Sequence, residues 1–398
     1  MPQIPAGWEE TTLGEFAIIN PTESIKKGEV AKNIPMDFLD NFTRKISKYT
    51  EKEFSWGMKF RNWDTLFARI TPCLENGKTA YVDILDDWEI AFWSTEYIVI
   101  REKKERSNSM FLYYLSVSPF FRDIAIKAMT WTSWRQRVQT DVLVNTKLHL
   151  PLLPEQQAIA AVLSSFDDKI ELLRAENQTL EQMGQELFKE RFGKWKVGDE
   201  LPEGWRVGKI EDLTNYIASW GTPATKEASY YGWRINWFST KELQDCFLFS
   251  SEKTITEDAL KNSSAKEFPK DTVLMAIYAA PTVWRLWILT QSSAFNQAAV
   301  GLVAKDDIWM PFIYLLLKFH RDNFNNLANW AAQQNLNVSL VKNYEIPIPD
   351  QETLNQFDLV IKPLFNKIRA NSEQIQSLSA TRDLLLPKLM SGEVRVEF

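Results

Sequence analysis

Two long stretches of the chain carry apolar residues in a heptad pattern. Within each stretch the spacing alternates between four and three residues. The first stretch places at these positions Ile159, Leu163, Phe166, Ile170, Leu173, Asn177, Leu180, Gly184 and Leu187. The second stretch places there Phe357, Ile361, Leu364, Ile368, Asn371, Ile375, Leu378, Arg382 and Leu385. One helix cannot bury such a stripe alone, so the pattern predicts two long helices that pair as a coiled coil.

The asparagine in each stripe predicts how the helices pair. Because the first helix leads from the first half of the chain to the second, a pseudo-two-fold arrangement makes the two helices antiparallel. Polar residues in a coiled-coil interface tend to fix its register. We therefore expect Asn177 to face Asn371, which places Ile170 opposite Leu378.

The segments that precede the two heptad stretches also match each other. Residues 111–113 (Phe-Leu-Tyr) correspond to residues 312–314 (Phe-Ile-Tyr), and similar proline-rich motifs, 151–156 and 347–351, introduce the two stretches. Strand-like and helical patterns are mixed in both halves. We predict an α+β fold in which two similar globular domains are joined by two long helices that form an antiparallel coiled coil. The expected spans are 1–153 for the first domain, 154–194 for the first helix, 195–349 for the second domain and 350–398 for the second helix.

Composition limits the chemistry that the chain can perform. Its only cysteines are Cys73 and Cys246 and its only histidines are His149 and His320, so neither a disulfide framework nor a Cys/His metal cluster is expected. The sequence contains neither a phosphate-binding glycine loop nor a zinc-protease motif. We therefore expect no catalytic residue, no metal site and no cofactor in this chain. It also has no apolar stretch long enough to span a membrane and no signal-peptide pattern, so we expect a cytoplasmic location.

Charge is unevenly distributed along the chain, whose net charge is −6. Residues 42–69 carry seven basic and three acidic side chains, and residues 101–150 carry nine and four. Residues 155–192, within the first predicted helix, carry eight acidic and four basic side chains. Basic residues mixed with aromatic and amide side chains suit a DNA-binding face, although they are also compatible with an ordinary solvated surface.

The whole chain resembles the specificity (S) subunit of type I restriction-modification systems. The resemblance rests on the duplicated plan and on a Pro-x-x-Pro-Glu-Gln motif before a long helix. It also rests on five segments in the second half, namely 221–225 (Gly-Thr-Pro-Ala-Thr), 230–232 (Tyr-Tyr-Gly), 235–237 (Ile-Asn-Trp), 296–297 (Asn-Gln) and 384–392 (Leu-Leu-Leu-Pro-Lys-Leu-Met-Ser-Gly).

The resemblance implies that each domain recognises one half of a bipartite, asymmetric DNA site and that the paired helices set the gap. It also implies a non-catalytic subunit that recruits two modification subunits, which bring S-adenosylmethionine, and two restriction subunits, which use ATP and Mg²⁺. The candidate DNA contacts are Lys45, Arg61, Arg69, Arg135, Gln136 and Arg137 in the first domain and Thr222, Lys226, Lys241, Gln333, Gln334 and Asn335 in the second.

Two alternatives remain open at this point. The first is the specificity subunit of a type IIB-like system, in which the modification partner also cleaves DNA. The second is a coiled-coil scaffold whose globular ends bind proteins and recognise no DNA sequence. An enzyme is the least favoured reading, because no nucleophile or metal cluster is found.

Tryptophan is unusually frequent relative to glycine, with 16 tryptophans and 14 glycines. Eleven of the tryptophans stand where the S-subunit family usually has glycine, and they are Trp56, Trp63, Trp88, Trp93, Trp131, Trp134, Trp220, Trp233, Trp284, Trp287 and Trp330. Counting them as glycine would give 25 glycines in 398 residues, close to the average share of about 7%. We hypothesise that their codons are UGA, read as glycine in the host. Tryptophans that stack on DNA or fill a core are the alternative.

Overall fold

The computed structural model describes residues 5–132, 135–242, 246–277, 284–330 and 338–397. Its contacts divide the chain into two compact units. Unit 1 comprises Met1–Leu172 and Ile375–Phe398, and unit 2 comprises Leu173–Gln374. Each unit therefore contains one globular domain together with a part of each long helix.

Unit 1 is built around two four-stranded sheets, whose strand orders are β2-β9-β6-β7 and β4-β3-β8-β5. In addition, β1 pairs with β12, and β10 forms a hairpin with β11. The strands are β1 Glu9–Thr12, β2 Ala17–Ile19, β3 Val30–Asn33, β4 Thr50–Glu53, β5 Met58–Phe60, β6 Thr65–Ala68, β7 Thr79–Tyr81, β8 Ala91–Trp93, β9 Tyr97–Glu102, β10 Met129–Thr132, β11 Arg135–Val138 and β12 Lys147–Leu150. Residues 97–100 of β9 are all buried, as expected for a β-branched and aromatic run inside a covered sheet.

The helices of unit 1 cover the first of these sheets. They are α1 Leu13–Phe16, α2 Ser109–Val117, α3 Pro119–Lys127, α4 Thr140–Val144 and the part of α5 (Leu153–Phe192) up to Leu172. A short 3-10 helix spans Met36–Phe38. The side chains of Asn108 and Ser118 cap α2 and α3, which explains where those helices begin.

Unit 2 repeats this plan. Its strands are β13 Arg206–Lys209, β14 Thr214–Ala218, β15 Tyr231–Phe238, β16 Phe247–Leu248, β17 Lys253–Ile255, β18 Val273–Ala276, β19 Leu286–Leu289, β20 Ser293–Phe295, β21 Ala299–Ala304 and β22 Glu345–Ile348. The main sheet has the order β14-β21-β18-β19-β16, and its first four strands match β2-β9-β6-β7 of unit 1. The ribbon of β13 with β22 likewise matches that of β1 with β12.

The helices of unit 2 are α6 Glu257–Asn262, α7 Met310–Phe319, α8 Arg321–Trp330, α9 Val338–Lys342 and α10 Gln351–Ser391, the last of which belongs to this unit up to Gln374. Short 3-10 helices span Ile210–Leu213, Ala228–Tyr230 and Thr240–Glu242. The apolar core joins α7 to the main sheet and to the long helices. Phe188 and Phe192 of α5 lie in this core beside Phe312 of α7 and Phe357 of α10.

The two predicted long helices are α5 and α10, and within each unit they run antiparallel. In unit 1, Asp167 of α5 forms an ion pair with Arg382 of α10, while Glu155 at the start of α5 binds Arg395 just beyond the end of α10. In unit 2, Asn177 contacts Asn371 and Phe192 contacts Phe357. Residue numbers rise along α5 as they fall along α10. The predicted α+β fold with paired long helices is confirmed.

The buried stripe on the long helices is wider than the predicted seam. Leu187 and Leu385 are only half-buried, whereas the next residues, Phe188 and Leu386, are buried. Of the other seam residues, Ile159, Leu163, Ile170, Ile361 and Ile368 are buried, while Leu180 and Leu378 are half-buried. The stripe is wider because these helices also pack against the globular domains, which a two-helix heptad pattern does not anticipate.

Candidate nucleic-acid interface

The hairpin of β10 and β11 carries three of the predicted DNA contacts. In the pairing, Arg137 lies opposite Thr130, Gln136 opposite Trp131 and Arg135 opposite Thr132. All three predicted residues lie on β11, and none is fully buried. A two-stranded β-ribbon is one of the elements that enter the major groove of DNA.

The hairpin is fixed to the loop that follows β6. Val138 N donates to Arg69 O over 2.8 Å, and Arg69 Nη2 donates to Val138 O over 3.0 Å. Thr71 N donates to Gln136 O over 3.2 Å, and Gln136 N in turn donates to Thr71 Oγ1 over 3.3 Å. The structure therefore brings the segments that carry Arg69 and Gln136 side by side, although the two residues lie far apart in the sequence.

Arg137 is held in place by a carboxylate. Its Nη2 lies 2.7 Å from Glu96 Oε1, and its Nε lies 3.1 Å from both Glu96 oxygens. The hydrogen bond with Glu96 raises the pKa of the Arg137 guanidinium, so the group is charged throughout the physiological range. Sequence reasoning missed Glu96, because its contact with Arg137 depends on how the sheet and hairpin fold together.

The other two predicted contacts of the first domain lie on separate segments. Lys45 is exposed and its charge acts on Asp83, whereas the neighbouring Arg44 is buried. Arg61 lines a cavity of about 450 Å³ that also includes Trp63 and Trp88.

In the second domain, two motifs quoted from the sequence meet. Thr222 Oγ1 donates to Gln297 Oε1, and Ser219 Oγ donates to Gln297 O over 3.1 Å. Lys226 is exposed in the loop before the 3-10 helix 228–230. The contact joins the 221–225 and 296–297 segments and adds Gln297 to the candidate interface.

The remaining predicted contacts have less structural context. The backbone of Lys241 belongs to the 3-10 helix 240–242. Gln333, Gln334 and Asn335 lie outside the described residues. All these assignments stay predictions.

A polar layer crosses the long helices within unit 1. Arg382 binds Asp167, which also accepts a hydrogen bond of 2.7 Å from Tyr114 Oη. Burial disfavours the charge on Arg382, but the charge and hydrogen bond of Asp167 outweigh it and raise the pKa of the guanidinium. Burial and the Asp167 charge also raise the pKa of Tyr114, which stays protonated as the donor.

The equivalent layer of unit 2 is apolar. The internal repeat places Gly184 where unit 1 has Arg382, Phe365 where it has Asp167, and Leu315 where it has Tyr114. A methyl group added at Gly184 would lie 3.6 Å from Phe365 and 3.7 Å from Leu315. The same site in the fold is therefore built from a charged pair in one unit and from close apolar packing in the other.

A second polar group anchors the first domain to α5. Arg44 donates to Asp168 Oδ1 over 2.6 Å and to Glu171 Oε2 over 2.8 Å. Burial opposes the Arg44 charge, but hydrogen bonds to Glu171 and Asp168 prevail and raise the pKa of the guanidinium. Part of the acidic surface predicted for α5 therefore binds its own domain.

Each of the two histidines lies close to polar side chains of its own unit. His149 Nε2 lies 3.5 Å from Glu10. Burial lowers the pKa of His320 to about 4, and its Nδ1 lies 3.2 Å from both Tyr344 Oη and Asn323 Nδ2. Within the ranges that the structure describes, no group of three or more His, Cys, Asp or Glu side chains is placed to hold a metal ion.

A family model described as the type I restriction modification DNA specificity domain matches this chain twice, over residues 5–182 and 202–379. The chain belongs to this family. The resemblance inferred from the sequence is confirmed, and the two matches correspond to the two halves of the internal repeat. The family provides DNA specificity, so the chain is a non-catalytic specificity subunit with a DNA-recognition role within a restriction-modification complex.

Individual relatives agree with this assignment. The MjaIX type I restriction enzyme specificity subunit of Methanocaldococcus jannaschii is 30% identical over 74% of this chain and 71% of its own length. The HindI specificity subunit of Haemophilus influenzae is 25% identical over 83% of this chain and 86% of its own length. A solved S subunit from M. genitalium shares the fold, with a TM-score of 0.56 at 14% identity over 98% of this chain and 96% of the other.

Among the residues that the structure describes, no helix is both long and apolar enough to cross a membrane.

Proposed function

We propose that this specificity subunit recognises a bipartite, asymmetric DNA sequence, with one half-site for each globular domain. The observation that carries the proposal is the presence on one chain of two family domains whose sequences differ. Identical domains would favour a palindrome, because each would select the same bases. Here the first domain presents arginines on a hairpin, whereas the second presents Thr222 bound to Gln297.

In the first domain we assign base contacts to the hairpin and phosphate contacts to the lysines. An arginine held by a carboxylate has one preferred orientation, which suits bidentate recognition of a guanine edge. Arg137 meets this requirement through Glu96. Lys45 is exposed and suits the less directional contact with a phosphate.

In the second domain, Thr222 and Gln297 supply hydroxyl and amide groups that can contact base edges. Lys226 lies four residues after Thr222 and is exposed, so we assign it to a phosphate. We retain Gln333, Gln334 and Asn335 as base contacts on their sequence alone.

The partners we propose are two modification subunits and two restriction subunits. The modification subunits would bring S-adenosylmethionine for base methylation. The restriction subunits would bring the ATP- and Mg²⁺-dependent translocation and cleavage activities. This chain would contribute binding and no covalent step.

The deciding experiment maps methylated adenines across the genome of cells that express this chain with its modification partner. We expect one split motif, with two fixed parts separated by unspecified base pairs. The Arg137→Ala variant should change one part of the motif and leave the other intact. A complex that forms but methylates without sequence preference would contradict the proposal and support the scaffold alternative. Cleavage by that complex without a restriction subunit would instead identify a type IIB-like system.

A further inference from the structure

Three tryptophans in the described part of the chain have a backbone conformation that suits glycine. The φ angle is +75° at Trp63, +66° at Trp88 and +71° at Trp284. In this left-handed region the Cβ atom of an L-residue crowds its own backbone, and bulky side chains are genuine outliers there. Glycine has no Cβ and adopts the conformation freely.

The internal repeat supplies a direct comparison for Trp284. Ala68 N at the end of β6 donates to Lys78 O, and Ala276 N at the end of β18 donates to Arg285 O, so Lys78 and Arg285 are equivalent. The residues that precede them are Gly77, with a φ of +70°, and Trp284, with a φ of +71°. The first domain therefore has glycine at the position where the second has tryptophan.

The repeat also supplies a comparison for Trp63. Trp63 N donates to Val82 O over 2.8 Å, and Asp271 N donates to Leu289 O over 2.8 Å, in turns that precede β6 and β18. The φ at Asp271 is +65°. Aspartate is one of the few residues besides glycine that is enriched in this conformation. Asp271 therefore suits the positive φ of this turn, whereas the equivalent Trp63 does not.

Strand register provides a further comparison at Trp287. Leu66 of β6 pairs with Ala80, and Leu274 of β18 pairs with Trp287. The equivalent residue of Trp287 is therefore Ala80, a small and fully buried side chain.

The side-chain surroundings of Trp63 and Trp88 differ from those of Trp8 and Trp205. Trp88 is 91% exposed and Trp63 is 57% exposed, so most of each indole lies in solvent. By contrast, Trp8 is buried and donates its Nε1–H to Glu155, and Trp205 packs on Phe192. Trp8 and Trp205 have the environment expected of genuine tryptophans, and neither has a positive φ. Trp284 is buried and stacks on Phe324, so its assignment rests on its φ angle and on the glycine at the equivalent position 77.

We infer that positions 63, 88 and 284 are glycine positions, encoded by UGA and translated as glycine in the host of this gene. UGA is the codon that different bacterial codes assign to tryptophan or to glycine, so one reassigned codon accounts for all three sites. The same codon at position 287 would place a small residue opposite Leu274, just as Ala80 lies opposite Leu66 in the first domain. In the host, the loops at positions 63 and 88 then carry no indole that could stack on a nucleobase.

The direct test combines gene sequencing with peptide mass spectrometry of the chain purified from its own host. We expect UGA codons at positions 63, 88 and 284, UGG codons at positions 8 and 205, and peptide masses with glycine at the first three. UGG codons at the three sites, or tryptophan in their peptides, would overturn the inference.

A second test uses the full chain and compares glycine with alanine at the same position. At positions 63 and 88 the glycine variant should have a Tm higher than the alanine variant by a few degrees, because only alanine is strained at a positive φ. At position 205 the order should reverse, because φ is ordinary there and glycine has the greater conformational entropy when unfolded. Alanine variants as stable as the glycine variants at both 63 and 88 would contradict the inference that the backbone requires glycine at these positions.

Discussion

Asn371 donates its side-chain N–H to the side-chain oxygen of Asn177 over 2.9 Å, and this bond joins the two long helices within unit 2. The same Asn371 amide donates to Glu176 over 2.9 Å, and Asn177 donates to Ser372 over 3.2 Å. Glu176 and Asn177 are consecutive residues of α5, and Asn371 and Ser372 are consecutive residues of α10. A shift of either helix by one residue would break these bonds and leave buried polar groups without partners.

The first prediction concerns this register. Cysteines at positions 170 and 378, in a chain with Cys73 and Cys246 replaced by serine, should form a disulfide on mild oxidation. The reason is that the contact of Asn177 with Asn371 places these two positions opposite each other. Non-reducing gel electrophoresis measures the cross-link. The matched control pair, 170 with 385, lies one heptad away and should not cross-link; if it does and the first pair does not, the register is wrong.

The second prediction concerns the charged layer of unit 1. Arg382→Met should lower the free energy of unfolding by about 3 kcal/mol, because it leaves the Asp167 carboxylate buried with Tyr114 as its remaining partner. The triple change Asp167→Phe, Arg382→Gly and Tyr114→Leu should recover much of this loss, since unit 2 packs Phe365, Gly184 and Leu315 at the same place. Denaturant unfolding of both variants measures the difference. A triple variant that is less stable than Arg382→Met would contradict the equivalence.

The third prediction concerns pH. The pKa of His320 is about 4 in the folded chain and about 6.5 when unfolded. The unfolded state therefore binds more protons between these values, so the stability due to neutral His320 is present above pH 6.5 and is lost as the pH falls towards 4. Between pH 7 and pH 5 the loss should be about 2 kcal/mol. His320→Gln should lose correspondingly less stability over that range in urea unfolding, and an unchanged pH dependence would refute the assignment.

The fourth prediction separates base contacts from phosphate contacts. Arg137→Ala should cost about 1–3 kcal/mol on the cognate DNA and relax selectivity in one half-site. Glu96→Gln should relax the same half-site, because it weakens the ion pair that orients Arg137. Lys226→Ala should instead weaken binding to cognate and unrelated DNA alike and reduce the salt dependence. Titration of labelled duplexes with the complex of this chain and its modification partner measures all three variants. If Arg137→Ala weakened binding to cognate and unrelated DNA equally, Arg137 would contact the phosphate backbone of the DNA rather than its bases.

The sequence predicted the parts of the fold that depend on periodic spacing. The heptad pattern predicted the pairing of Asn177 with Asn371, because a helix fixes which residues share a face. It did not predict that Phe188 rather than Leu187 is the buried residue, since that depends on where the globular domain contacts the helix. Helix limits were also approximate, with Leu153–Phe192 and Gln351–Ser391 against expected spans of 154–194 and 350–398.

The candidate interface was less predictable. The charge pattern indicated Arg69 and Arg137 separately, but it gave no means to predict that the loop carrying Arg69 bonds to the hairpin carrying Arg137. The partner of Arg137 is Glu96, which lies 41 residues earlier in the chain, and no local pattern links the two. Arg44 shows the opposite case. It contributed to the basic count that favoured DNA, yet the structure uses it to bind Asp168 and Glu171.

The unlike layers of the two units bear on which helices can associate. If α5 met another copy of itself in the same antiparallel register, Asp167 would face Gly184, and its carboxylate would be enclosed without a countercharge. Two copies of α10 would set Arg382 against Phe365 with the same penalty on the opposite sign. The two helices of one molecule avoid both mismatches. The difference between the Asp167–Arg382 layer and the Gly184–Phe365 layer therefore disfavours the exchange of long helices between neighbouring subunits during assembly.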